Sequence, residues 1–201
     1  MLVASAAKVD WSKVQGDIKE SSKHYLTNLP KRHLPVVDRS QTVWLDPSIT
    51  LSSDIQAPVQ QGDGGYRWQM LYPKGTLVNP LVTSRPVTAM LFFDGADPAQ
   101  VAFVQDMLEK EPLRIVPVEA GAGNVQDTHA LLRRPVFYAN DAMINRFQLR
   151  YLPSLVYTGE GAHRLELGIS SFSLPFNTST ALTAWKQVIV ARPPSLVKKP
   201  R

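Results

Sequence analysis

Two aspartates three residues apart, in the run Phe93-Asp94-Gly95-Ala96-Asp97-Pro98, are the first candidates for chemistry in this chain. Carboxylates at that spacing could hold a hard cation through oxygen or share the roles of acid and base. Each also has a structural job open to it, since Asp94 stands in a turn sequence and Asp97 precedes a proline where a helix N-cap belongs. The histidines His24, His33, His129 and His163 lack the spacing of a metal-binding motif and read as surface residues. Ser170, Ser171 and Ser173 have no glycine frame around a nucleophile. Gly62-Asp63-Gly64-Gly65 is a turn rather than a phosphate loop, because neither Gly-Lys-Ser/Thr nor a helix start follows it. With no cysteine anywhere, thiol exchange, disulfides and zinc–thiolate sites are excluded, while the compartment stays open.

Aromatic residues offer a second lead. Trp11, Tyr25, Trp44, Tyr66, Trp68 and Tyr72 crowd the first third of the chain. Aromatics are enriched in binding hot spots and are equally good core material for a small β-layer. Both readings stand, with burial favoured for Trp44 and exposure for Trp11. The partner-binding candidates are Trp11, Ile18, Tyr25, Tyr66 and Trp68.

The elements that must position these residues follow from pattern. Over residues 10–29, Trp11, Val14, Ile18, Tyr25 and Leu29 recur at helical steps, with Asp10 as N-cap and Pro30 as stop, which predicts an amphipathic helix. Its narrow stripe either lies on the chain's own sheet or awaits a partner. An extended connector leads to β-rich residues 42–81, broken by Asp46-Pro47 and by the glycine turn. The nearly continuous apolar run 87–93 predicts a central strand. A helix through Lys110 follows, capped by Asp97 with Pro98 in its first turn and Val101, Val104 and Leu108 inward. Residues 113–118 form a second strand, and 124–132 a short helix with Val125, Ala130 and Leu131 inward.

Residues 135–169 organise the rest. Val136-Phe137-Tyr138 is a short strand, Asn140 or Asp141 caps a brief helix with Met143, Ile144 and Phe147, and Leu152-Pro153-Ser154-Leu155-Val156-Tyr157 opens a strand on a proline. Gly159-Glu160-Gly161 turns the chain into a return strand over 163–169, with Leu165, Leu167 and Ile169 on one face. Residues 178–190, with Leu182, Trp185, Val188 and Ile189, close the pattern as a helix.

At 201 residues, 44% hydrophobic and 19% charged, the chain is globular, with one main core and an appendage. Its net charge of +5 is scattered apart from Lys31-Arg32, Arg133-Arg134 and the terminal Lys198-Lys199-Pro200-Arg201. Such pairs are ordinary solvated surface, so no direct nucleic-acid partner is expected. No stretch approaches the ~20 apolar residues that span a bilayer. Ala4-Ser5-Ala6 fits the small-residue pattern of a signal cleavage site and equally a frayed terminus.

The segment Arg150-Tyr151-Leu152-Pro153-Ser154-Leu155, followed by a glycine turn and a hairpin strand, resembles the C-terminal half of the thioredoxin fold. The resemblance implies a cis bond before Pro153, and it implies a Cys-x-x-Cys pair at the place where this chain has Asp94-Gly95-Ala96-Asp97-Pro98. Trp44-Leu45-Asp46-Pro47-Ser48-Ile49-Thr50, Tyr72-Pro73-Lys74-Gly75-Thr76-Leu77-Val78-Asn79-Pro80-Leu81 and Leu91-Phe92-Phe93-Asp94-Gly95-Ala96-Asp97-Pro98-Ala99-Gln100-Val101 resemble three signatures of the TraW family of F-type conjugative type IV secretion systems. That similarity runs in unbroken order over roughly residues 42–169.

Together these expectations are an α/β protein whose thioredoxin-like domain lacks cysteines and is preceded by the N-terminal amphipathic helix and a small β-rich layer. The divisions are 1–40 for the helix and connector, 41–84 for the β-rich region, 85–192 for the thioredoxin-like domain and 193–201 for the basic tail. The family resemblance implies a non-enzymatic periplasmic scaffold for pilus assembly and DNA transfer, without cofactor, with TrbC-like and TraU-like partners. The alternative is an enzyme or metal-binding protein that uses Asp94 and Asp97.

Overall fold

The computed structural model describes residues 10–62 and 64–190. Ala4-Ser5-Ala6, Asp63 and the tail 193–201 with Lys198-Lys199-Pro200-Arg201 lie outside the described residues, as do the side chains of Val188 and Ile189. Helix α1, Trp11–Thr27, begins where Asp10 accepts the backbone N–H groups of Ser12 and Lys13 at 3.1 and 3.2 Å. It stops at Asn28, ahead of Pro30. An extended strap, residues 30–40, then leads into β1, Gln41–Leu45.

Four short strands follow: β2 (Ile49–Thr50), β3 (Ile55–Gln60), β4 (Tyr66–Tyr72) and β5 (Leu77–Val78). Then come β6 (Ala89–Phe93), α2 (Pro98–Lys110), β7 (Ile115–Glu119), α3 (Val125–Leu132), β8 (Phe137–Tyr138), α4 (Asp141–Arg146), β9 (Ser154–Thr158), β10 (Leu167–Ser171) and α5 (Thr178–Val190). Six strands form one sheet in the order β1-β10-β9-β6-β7-β8. β6, β7 and β8 run parallel, and β9, β10 and β1 continue antiparallel.

A βαβ unit beside an antiparallel pair and a closing helix, entered through a cis Leu152–Pro153 bond, is a thioredoxin-like fold. On one face of the sheet, Val104 and Met107 of α2 and Leu182 and Trp185 of α5 pack on Leu91, Phe93, Leu155 and Tyr157. On the other, Phe92, Val118, Val156 and Ile169 are covered by Leu149, Leu152, α4 and Leu34 of the strap.

The structure redraws four sequence readings. Residues 41–45, grouped by pattern with the small β-region, are the edge strand of the main sheet, with Gln41 opposite Ser171 and Leu45 opposite Leu167. The remaining β-rich residues form two separate two-stranded pieces, β2 with β5 and β3 with β4, instead of one layer. The return strand begins at Leu167 rather than 163, because Gly161–His163 coil into a 3-10 turn. In α3 the buried residues are Val125, Thr128 and Leu132, while Ala130 and Leu131 are exposed. Thr128 can sit inward because its hydroxyl donates to the Asn124 carbonyl at 2.8 Å.

Candidate functional site

The parallel strands β6, β7 and β8 end along one edge, where loops 94–97 and 120–124 meet. Open α/β sheets present their ligand sites at such an edge. Here the chain's own groups fill it. Asp94 Oδ1 accepts the N–H of Ala96 at 2.9 Å and, across the gap, that of Ala122 at 2.8 Å. Asp97 caps α2 through the Ala99 N–H at 2.9 Å. Gln100, buried, ties the two together: its Oε1 accepts the Asp94 N–H at 2.9 Å and its Nε2 donates to Asp97 Oδ2 at 3.1 Å. Asp94, Asp97 and Gln100 are thus each committed to the geometry of this loop, and Asp94 also ties it to loop 120–124.

Glu119, which sequence reasoning passed over, is the buried acid of this edge. Only 1% exposed, it sits at the end of β7 and accepts three backbone N–H groups, from Gly95 at 2.8 Å, Gly121 at 2.9 Å and Gly123 at 3.3 Å. Burial pushes its carboxyl up to about 7, aided by the neighbouring Asp94 charge and opposed by the three N–H donors. The signal in the sequence was a carboxylate closing an apolar strand just before Ala120-Gly121-Ala122-Gly123. Glycine is required there by close approach, since a Cβ on Gly123 would lie 2.6 Å from the Gly95 Cα.

The strap closes the same edge from outside. The Arg32 N–H donates to the Gly121 carbonyl at 3.1 Å, and the Leu152 N–H, just before the cis bond, donates to the Pro35 carbonyl at 3.0 Å. The Arg32 guanidinium donates to the Ala139 carbonyl at 2.7 Å, to the Tyr138 hydroxyl at 3.1 Å and to Asp141. Tyr138 in turn donates to the Pro30 carbonyl at 2.6 Å.

The partner-binding candidates stand elsewhere, on two elements outside the six-stranded sheet. Trp11, Ile18 and Tyr25, each seven residues from the next and on one face of α1, are all exposed. Tyr66 and Trp68 lie on β4, whose seven residues are all exposed; Trp68 is 67% so. Trp68 and Met70 sit on one face of the β3–β4 hairpin, opposite Pro58 and Gln56. Trp44, by contrast, packs against the core, in edge contact with Tyr157 and stacked on His163 at 3.9 Å between centroids. His163, expected at the surface, is half-buried by that stack and bonds Glu166, whereas His24, His33 and His129 are exposed.

Among the described residues no helix is long and apolar enough to cross a membrane. No protein-family model matches the chain, and no curated protein matches it. Among solved structures, that of MTB dsbF in its mixed oxidized and reduced forms is similar at 8% identity with a TM-score of 0.38, over 57% of this chain and 89% of that one.

Proposed function

We propose that this chain is a non-enzymatic periplasmic scaffold of an F-type conjugative secretion system, serving pilus assembly and DNA transfer and docking TrbC-like and TraU-like proteins. The observation that carries the reading is the β3–β4 hairpin. Among the described residues it pairs with no other strand, yet it presents Tyr66, Trp68, Met70 and Tyr72 to solvent. Two-stranded hairpins are marginal in water, and aromatic side chains at that density are what binding hot spots use.

Two further features support it. The residues of the TraW-like segments are spent on internal geometry: the Asn79 amide donates to Asp46 Oδ1 at 3.1 Å and to the Leu165 carbonyl at 2.9 Å, and Asp94, Asp97 and Gln100 lock one another. The thioredoxin-like edge has no thiol and is crossed by the strap.

The test is co-purification from conjugating cells. Replacing Tyr66 and Trp68 by serine is expected to abolish recovery of a TrbC-like partner and pilus formation while leaving circular dichroism unchanged. Undiminished recovery would refute the reading. The same substitutions at Trp11 and Tyr25 report whether α1 shares the interface.

A further inference from the structure

The second face of the sheet is not covered to its margin. α4 and the strap shield Phe92 and Val118, but toward β1 the covering ends, and Val43 is left 55% exposed. A groove of about 330 Å³ lies there, floored by Val43, Leu45 and Ile169 and walled by Gln148, Arg150 and Tyr151, with Gln41 and Ser171 at its end. Gln148 holds a φ of +50°, a left-handed conformation uncommon for a residue with a side chain.

Two features define what the groove fits. The first is charge. Arg150 is exposed and has no hydrogen-bond or ion-pair partner among the described residues, and no acidic side chain lines the groove. A carboxylate on the occupant would complement it. The second is the strand that borders it. β1 is the outer strand of the sheet, and its Gln41-Thr42-Val43-Trp44-Leu45 contains no proline and no charge. Its pairing with β10 runs through five residues without a bulge. Natural edge strands are commonly protected by lysine, proline or bulges. β3 has Pro58 and β8 is only two residues long, whereas β1 has none of these safeguards.

We propose that β1 and this groove receive an extended segment of a partner protein, which adds to the sheet as a seventh strand, sets alternate apolar side chains on Val43, Leu45 and Ile169, and meets Arg150 with an aspartate or glutamate. Main-chain pairing supplies affinity in such strand addition, and the pockets for alternate side chains supply specificity. The proposal deepens the scaffold reading and rests on it, because it names the chemistry of one docked segment.

The experiment is selection of a displayed library of peptides about seven residues long on the full chain, followed by titration of the recovered peptides. Alternating apolar sequences with an acidic residue are expected. Affinity should fall at least about tenfold, the effect of ~1.4 kcal/mol, in Arg150→Glu and in Val43→Lys. It should return when the peptide's acid is changed to lysine against Arg150→Glu, and disappear when alternate peptide amides are N-methylated. Both substituted residues are exposed, so circular dichroism is expected to be unchanged. Selection without such sequences, peptides indifferent to Arg150→Glu or to N-methylation, or sedimentation showing two copies joined through β1 would each overturn it. A chain that takes no peptide yet still co-purifies with its TrbC-like partner refutes the groove alone and leaves the scaffold reading standing.

Discussion

Glu119 shows how one side chain can hold a loop pair and make it sensitive to acidity. Its carboxyl titrates near 7 in the folded chain, against an ordinary value of 4.5, chiefly because burial penalises the charge. Between those two values the folded chain keeps a proton that the unfolded chain has released. The stability contributed by Glu119 is therefore complete below about 4.5 and is lost as pH rises through about 7. At ~1.4 kcal/mol per pH unit, the unfolding free energy is expected to drop by on the order of 3 kcal/mol across that window. Glu119→Gln should flatten the profile while lowering stability at the acid end, because an amide cannot accept at both of its ends. Urea unfolding between about pH 5 and about pH 8 checks this; an equally steep profile in the variant would place the titration elsewhere. Asp94 and Asp97 were visible in the sequence and Glu119 was not. The first two each have a local bond within their own turn that marks them, Asp94 to Ala96 and Asp97 to Ala99, whereas the role of Glu119 exists only once β7 lies beside β6 and two loops converge.

At the scale of elements, Arg32 is the side chain through which the strap hydrogen-bonds residues 138–141. Its side chain is 14% exposed and pairs with Asp141, whose carboxylate is 78% exposed. Removing Asp141 breaks a largely solvated contact, so Asp141→Ala is expected to cost less than about 1 kcal/mol. Arg32→Ala also removes the donor to the half-enclosed Ala139 carbonyl and one of the two hydrogen bonds of the Tyr138 hydroxyl, and should cost about 2–3 kcal/mol. Thermal or urea unfolding of the two variants measures the difference, and equal losses would show that the strap is held by its backbone alone. Local signals made much of this level readable: Asp10 and Asn140 cap their helices and Asp97-Pro98 opens α2, whereas the cis bond before Pro153 was implied only by the thioredoxin-fold resemblance. The face of α3 was misread because eight residues give too few turns to fix a period, and because a threonine bonded to its own backbone can be buried. The placement of β1 was unreadable for a different reason: alternation shows that a strand exists but not which strand lies beside it.

At the scale of the whole molecule, the β3–β4 hairpin is an outgrowth that the sheet does not need. Excising residues 56–71 and bridging the gap with a short Gly-Ser linker is expected to leave the thermal midpoint of the six-stranded body within about 2 °C, since substitutions away from buried contacts change little. The same excision should remove partner recovery from conjugating cells. A collapse of the midpoint would make the hairpin part of the fold instead of an attachment to it. The pairing of Gln41 with Ser171 also has a bearing on how the chain is made. Its outermost strand must wait for a mate that ends at Ser171, so all the residues between them have to be made before that ladder can zip. Until then the nascent protein displays an open ribbon of backbone, which places a period of vulnerability to clumping, and of need for a chaperone, between the making of one strand and the making of the other.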